Sequence, residues 1–403
     1  MTGYAWRGSP LMTQQLDVND DAVTRLGLMD TAPEERFDRI TRLAREMFDV
    51  DYAVVNVVNS ETVFTKSQPA ESDFRHTTIE DSFCGEAVKQ PAVLEVPDGR
   101  ADPRFADRAI VAEHGIRFYA GFPIHTDAGE TVGTLCLLDT SPRELSDTDR
   151  DAFERFGLWA QAEMRMDDPG ASGPGPGPVP AASVAPAVRD DRLAAGEVRL
   201  AALAIPYGQV SGDRSSWQQV GDRIIVTLAD VMGKGEEAGG FAEELIGALQ
   251  QRAHLDPVEA MLSVEDYARH DKRYRETFAT LFHAVIETRS GRVDYVDAGH
   301  GLTLLLRADG TSERLSSRNL PLGLRPSDAE WEAGETVVGH GDLIISVSDG
   351  ALDAYDSTLD SLRLIGEDLR RAAEPDAFFD ELSIRVSEHV VDDDVTAVVV
   401  SVR

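Results

Sequence analysis

The sequence predicts an α+β protein built of two modules. Three observations lead there. An uncharged stretch, PGASGPGPGPVPAASVAPAV, is half Pro or Gly and divides the chain at residues 169–188. Before it the order is helix, mixed strands, hairpin, helix. After it, apolar runs of strand length recur and end beside aspartates. At 403 residues the chain is long for one core, and 42% apolar residues suffice to build two. The reading divides it into an N-terminal tail over 1–20, a first module over 21–166, a linker over 167–190 and a second module over 191–403. The linker lacks apolar periodicity and is expected to be extended and partly stiff.

In the first module a helix is expected from Thr31, with Thr31 and Glu34 at capping-box spacing and Pro33 in the first turn. Phe37, Ile40, Ala44, Met47 and Phe48 then share one face. DYAVVNVVNS follows as a strand, and FYAGFPIHTDAGETVGTLCLLD reads as two strands joined around Asp127-Ala128-Gly129. A closing helix opens near Ser146 and turns Phe153, Phe156 and Ala160 inward.

In the second module, RLAALAIPYGQVSGD is expected to end in Asp213. DRIIVTLA leads to Asp230, and the glycines of VMGKG permit a tight turn before the helix EEAGGFAEELIGALQQ. TFATLFHAVIET and GRVDYVDAGHGLTLLLR pair around Ser290-Gly291, DLIISVS leads to Asp349, and VVDDDVT carries Asp393 just before AVVVSV. Taken singly, each aspartate has an ordinary structural explanation. Asp349-Gly350 reads as a turn, Asp230 as a helix cap, and the triple Asp as a solvated loop. Taken together, carboxylates at strand ends that a sheet gathers at one edge are the oxygen ligands preferred by Mg²⁺ or Mn²⁺. A pair of such ions makes a nucleophilic water at neutral pH, which points to phosphate-ester hydrolysis.

The net charge of −33 argues against nucleic acid and against an anionic membrane as partners. No run approaches the ~18 apolar residues of a membrane span, and no secretory signal is visible, so a cytoplasmic location is expected. The only cysteines, Cys84 and Cys136, offer neither a disulfide framework nor a Cys-based zinc site. Cys84 is a redox-sensor candidate if exposed with a lowered pKa. The reading preferred for both is that of small buried apolar residues. His76, His114 and His125 lack close metal-ligand spacing.

Two resemblances sharpen this picture. RFDRITRLAREMF, EDSFCGEAV, VPDGRADPRFAD, IRFYAGFPI and VGTLCLLDT, in that order, resemble the GAF domain of bacterial signalling proteins over about residues 21–166. That resemblance implies a central antiparallel sheet flanked by helices, often dimeric through its terminal helices, and a small-molecule ligand that the residues do not identify. VSGD, ADVMGKG, FATLFHAVIETRSGRVDYVDAGH, NLPLGL, GDLIISVSDG and DDDVTAVVV resemble, in order, the SpoIIE-type phosphatase domain, a bacterial branch of the metal-dependent (PPM, protein phosphatase 2C-like) serine/threonine phosphatases. It implies a β-sandwich of two antiparallel sheets flanked by helices, with two Mn²⁺ or Mg²⁺ ions at one end. By this resemblance Asp230 bridges the two ions, the carbonyl of Val231 binds the first, and Asp213, Asp349 and Asp393 bind the second. Asp394 is the register alternative to Asp393. The resemblance gives His300 a choice between donating a proton and organising the cleft, the latter preferred, and Lys234 a choice between substrate phosphate and solvent.

The implied function is a GAF-regulated protein serine/threonine phosphatase. Its implied substrate is a phosphoserine anti-sigma-factor antagonist, a STAS-domain protein of a partner-switching pathway. Departures from the family pattern support an alternative, a weakly active or inactive pseudophosphatase acting as a ligand-sensing adaptor. These are Ser211-Gly212 for a double glycine, Ser216 for an acid, Ala229 for a glycine, and a degenerate stretch over 260–277.

Overall fold

The computed structural model describes residues 20–67, 75–166 and 188–403, except 196, 209, 234, 271–276, 317, 327–328, 373, 390 and 392. The chain divides into two compact units. The first holds residues up to Ala32 and Asp49–Ala171, and the second holds Pro33–Phe48 and Ser172–Arg403. Of the linker expected over 167–190, residues 188–190 open a strand and the rest lie outside the described residues, as does the tail up to residue 19.

The first unit is a six-stranded antiparallel sheet in the order β3-β2-β1-β6-β5-β4. Its strands are β1 Tyr52–Val58, β2 Thr62–Ser67, β3 His76–Thr78, β4 Leu94–Val96, β5 Phe118–His125 and β6 Thr131–Asp139. The hairpin expected around Asp127-Ala128-Gly129 joins β5 to β6, with Gly129 at φ +79°. Helix α5, Asp147–Arg165, starts where Ser146 predicted. The Ser146 hydroxyl accepts from the Asp149 amide, and Asp149 returns a bond to the Ser146 backbone. That capping box satisfies amides left without helical partners. Phe153, Phe156 and Ala160 are buried as expected. Gly157 lets α5 close on β5, because a Cβ there would lie 2.2 Å from the Phe122 ring.

The start expected at Thr31 is corrected: α2 spans Glu35–Phe48. The Thr31 hydroxyl donates to the Leu28 carbonyl at 2.8 Å and accepts from Lys66 Nζ at 2.6 Å, so it is not available as a cap. Phe37, Ile40, Ala44 and Phe48 are buried as predicted, whereas Met47 is exposed. In space α2 groups with the second unit.

The second unit is a sandwich of two antiparallel sheets. One has the order β15-β12-β11-β10-β9 and the other β14-β13-β16-β17-β8-β7. The first uses β9 Asp213–Val220, β10 Arg223–Val231, β11 Ala279–Glu287, β12 Arg292–Ala298 and β15 Gly334–Val337. The second uses β7 Val188–Ala195, β8 Val198–Ile205, β13 Thr303–Leu306, β14 Ser312–Arg314, β16 Leu343–Val347 and β17 Val395–Val402. Leu200, Val226, Leu228, Phe282, Ile344 and Val398 interdigitate between the sheets. On the outer face of the first sheet, Val231, Leu281 and Val296 pack under α6 Glu236–Gln251 and α7 Pro257–His270. On the outer face of the second, Leu203, Ile345 and Val399 pack under α9 Leu359–Ala372 and α10 Pro375–Glu388. Because central strands are covered on both faces, their sequences read as continuous apolar runs and not as alternation.

Two further expectations are corrected. Asp213 does not close a strand; β8 ends at Ile205, and Asp213 opens the polar β9. The run GRVDYVDAGHGLTLLLR is two strands in different sheets, β12 and β13, separated at Gly299-His300-Gly301. Both glycines have positive φ, +70° and +68°, and the buried Asp297 carboxylate accepts from the His300 and Gly301 amides at 3.0 and 2.8 Å. The turn hands the chain from one sheet to the other.

Candidate metal centre

Antiparallel register brings the acids together. On β9 and β10, Asp213 is the direct partner of Asp230, and across β10 and β11, Asp230 is the partner of Thr280. Partners in register point to the same face. Ala229 and Val231 belong to the outer core under the helices, so Asp230 and its partners face inward, between the sheets, at one end of the sandwich. The second sheet delivers Ser346, Ser348 and the start of β17 to the same end. Ser348 Oγ donates to the Asp394 carbonyl at 3.1 Å and accepts from the Thr396 amide at 2.8 Å.

Asp213 is the electrostatic centre of this end. It is 4% exposed, and its Oδ2 has no hydrogen-bond partner. Burial first, then the charges of Asp230, Asp394 and Asp393, push its carboxyl well above the usual carboxylate range. Thr280 Oγ1 is likewise buried without a partner. Two orphaned oxygens one strand either side of Asp230 are costly in a folded core.

Hydrogen bonding distinguishes Asp394 from Asp393. Asp394 is buried and both of its carboxylate oxygens are occupied, Oδ1 by the Tyr207 amide at 2.7 Å and Oδ2 by the Gly212 amide at 2.8 Å. Asp394 thereby ties the loop before β9 to the start of β17. Asp393 is partly exposed, with Oδ1 accepting from the Asp394 amide at 2.8 Å. Asp349 leads into the short helix α8, Gly350–Asp353, without capping it through its side chain. A Cβ at Gly350 would lie 2.3 Å from the Asp394 carbonyl, so this glycine permits the approach of α8 to β17. The Val231 carbonyl lies 3.0 Å from where a Cβ on Gly212 would stand.

Within the same unit, α2 places Arg39 Nη2 3.1 Å from Asp349 Oδ2, with Arg39 5% and Asp349 20% exposed. His300 is buried with Nε2 3.0 Å from Ser346 Oγ. Burial first, then the Arg39 charge, lower its pKa to about 3. The neutral ring shares that bond with Ser346 in the layer between the sheets. Lys234 lies outside the described residues.

The donor set is entirely oxygen, negatively charged and partly unsatisfied, which fits hard divalent cations and not zinc or a soft metal. Among the described residues, no three His, Cys, Asp or Glu side chains surround one point as the ligands of a single ion. The aspartates share an end of the sandwich with carboxylates that have not converged. Thr280, Ser348 and Arg39 were not identified from sequence. Thr280 becomes visible only through its register with Asp230, and nothing local marks Arg39.

Residues 220–403 match the model of the stage II sporulation protein E (SpoIIE) family, and residues 32–164 match the GAF domain. The chain is 34% identical over 144 residues to cyclic di-GMP phosphodiesterase PA2567 of Pseudomonas aeruginosa, covering 35% of this chain and 24% of that protein. It is 25% identical over 152 residues to phosphoserine phosphatase RsbP of Bacillus subtilis, covering 36% of this chain and 37% of that protein. The chain thus spans well under half the length of these curated relatives. Among solved structures, the PP2C phosphatase domain of SpoIIE from Bacillus subtilis, with a fragment of its regulatory domain, aligns at 22% identity and a TM-score of 0.45. That alignment covers 51% of this chain and 63% of that one. The RsbU and RsbW domains of Rv1364c from Mycobacterium tuberculosis align at 26% identity and a TM-score of 0.44, over 49% and 57% of the two chains. This chain therefore joins a GAF domain to a domain of the SpoIIE family.

Proposed function

We propose that the second module is a metal-dependent protein serine/threonine phosphatase. The observation that carries the reading is Asp213, a buried carboxylate with an unpartnered oxygen, register partner of Asp230 and crowded by Asp393 and Asp394. Isolated buried negative charge is costly, and cations would relieve it. In this reading Asp230, Asp213, Asp349, Asp393 and the Val231 carbonyl hold two Mn²⁺ or Mg²⁺ ions. Asp394, whose oxygens already serve two amides, holds the loop that carries Asp213. Bound ions would lower the pKa of a water and polarise the phosphoryl oxygens. The protein's contribution is to fix the carboxylates beside rigid strands. Neutral, hydrogen-bonded His300 keeps Ser346 in place beneath them.

The substrate proposed is a phosphoserine on a STAS-domain anti-sigma-factor antagonist, with the GAF domain as regulator, a homodimer as the working form and the cytoplasm as its place. The name of RsbP, a phosphoserine phosphatase, supports phosphoserine as the group acted on. Among the described residues no helix is long and apolar enough to cross a membrane. A second reading, a non-catalytic adaptor, has one observation in its favour, the Arg39 guanidinium paired to a proposed ligand. Phosphate release from a phosphoserine antagonist, measured with the full chain against Mn²⁺, separates the two. Asp230→Asn and Asp349→Asn should cut the rate by roughly 10³-fold, since even a residue one hydrogen bond behind a metal ligand is worth about 10–100-fold. Unchanged rates would leave the assigned centre without support.

A further inference from the structure

The two cysteines are not scattered through the core of the first unit. Cys84, the first residue of α3 (Cys84–Ala87), and Cys136, in the middle of β6, bring their sulfurs to 3.8 Å. They meet at the wall of a cavity of about 60 Å³ between the sheet and the segments carrying Phe83 and Ile110. A space near 10–15 Å³ holds one water, so this one has room for a few waters or a molecule of similar size. The sulfurs are the hub of a polar cluster in otherwise apolar surroundings. Asn56 Nδ2 lies 3.5 Å from both sulfurs, Thr134 Oγ1 lies 3.5 Å from Cys84 Sγ, and Tyr119 OH lies 3.3 Å from Cys136 Sγ. Gly121, the register partner of Cys136, makes this possible, because a Cβ there would stand 2.1 Å from the Tyr119 hydroxyl. Two buried apolar cysteines would need none of these donors.

We infer that Cys84 and Cys136 form a vicinal dithiol that hydrogen peroxide, entering the adjoining cavity, oxidises to an intramolecular disulfide. The hydrogen bond from Cys136, reinforced by Thr134, Tyr119 and Asn56, holds the Cys84 thiol below its ordinary pKa despite burial, whereas burial pushes Cys136 well above it. Cys84 is also the less buried of the two, 6% exposed against 0% for Cys136, which makes it the attacking sulfur and Cys136 the resolving one. The Cys84 thiolate displaces hydroxide from peroxide, so an S–O bond forms, the O–O bond breaks, and protonation of the hydroxide gives water. The Cys136 sulfur then attacks Cys84, an S–S bond forms, the S–O bond breaks, and the leaving hydroxide takes the Cys136 proton. In sum two thiols and one peroxide give one disulfide and two waters. Closing 3.8 Å to the ~2.05 Å of a disulfide needs a shift of the short α3 segment toward β6.

The chain has two cysteines in all, so the test has a direct readout. The full chain, exposed to hydrogen peroxide and then alkylated in denaturant, should lose about 2 Da and both reactive thiols, and dithiothreitol should restore them. Cys136→Ser should accumulate a sulfenic acid at Cys84 that dimedone traps, and Cys84→Ser should yield no adduct at Cys136. Tyr119→Phe should slow disulfide formation about fivefold. Two intact thiols after treatment, an intermolecular link, or direct progress to sulfinic acid in the unmodified sequence would each overturn the assignment. So would trapping at Cys136 in Cys84→Ser. The mass measurement needs no variant, so it decides the matter even if a substitution impairs folding.

Discussion

Two buried acids in the second unit, Glu265 and Asp213, stand in opposite circumstances. Glu265 on α7 is 5% exposed and fully engaged. Arg325 Nη2 lies 2.5 Å from its Oε2, Arg325 Nε lies 3.2 Å from both oxygens, and Trp331 Nε1 donates at 3.2 Å. The guanidinium also stacks 4.6 Å over the Trp331 ring. Asp213 is buried to the same degree, but its near neighbours are other carboxylates and one of its oxygens is bare. The fold can supply a complete set of partners to a buried charge, and at Glu265 it does. At Asp213 it leaves one carboxylate oxygen without a hydrogen-bond partner. This contrast, more than acidity as such, separates a structural acid from a site.

The contrast between the two acids makes measurable predictions. Its largest predicted effect lies at the satisfied end. Glu265→Ala should cost about 3–5 kcal/mol in urea denaturation, because it strands a buried guanidinium. Replacing Glu265 and Arg325 together by apolar residues should recover most of that loss. Equal costs for the single and double changes would show that the pair's packing, not its charge, matters.

His283 is an intermediate case, buried with one partner, Thr227 Oγ1, 2.8 Å from Nδ1. Burial first, then Arg223, lower its pKa to about 4. A histidine depressed on folding takes up its proton more readily in the unfolded chain. Its contribution is therefore complete above about pH 6.5 and is lost as the pH falls toward 4. His283→Gln should remove up to about 3 kcal/mol of that acid sensitivity. Asp297, raised to about 7 chiefly by burial, acts in the opposite sense, destabilising as pH rises from about 4 to 7. The comparison of variant with parent isolates the histidine. Parallel stability–pH curves would mean that the His283 pKa is the same in the folded and unfolded chain.

At the unsatisfied end, Mn²⁺ should raise thermal stability by about 2.7 kcal/mol at a hundredfold excess over its dissociation constant. Asp230→Asn should abolish that gain, and Asp213→Asn without metal should be more stable than the parent. Destabilisation of metal-free Asp213→Asn would place Asp213 with Glu265 as a structural acid. The smallest effect concerns Arg39. If its ion pair with Asp349 competes with a cation, Arg39→Gln should lower the Mn²⁺ concentration for half-maximal phosphatase activity about fivefold, the worth of roughly 1 kcal/mol. A raised requirement would mean that the guanidinium steadies the ligand.

The parts of this protein legible in its sequence are those set by local chemistry. The Ser146 cap, the Gly129 and Gly291 turns, the apolar runs of β10, β11, β16 and β17 and the aspartates beside them all lie in a few consecutive residues. Helix α9 also carries a legible pattern, Leu362, Ile365 and Leu369 on one face. β9, with the polar sequence DRSSWQQV, carries no such pattern; it is a strand because β10 offers it a ladder. Thr31 mimics a helix cap until Lys66 and Leu28 claim its hydroxyl.

Local sequence supplies an inventory: two α+β modules, aspartates next to strands, and two cysteines. Which of these groups meet depends on the fold. It made Asp213 the partner of Asp230, bound both oxygens of Asp394 to distant amides, and set Cys84 against Cys136. The physical reason is that pairing across strands and burial of charge depend on register and on contacts between residues far apart in the chain, and neither is written in any short window of residues.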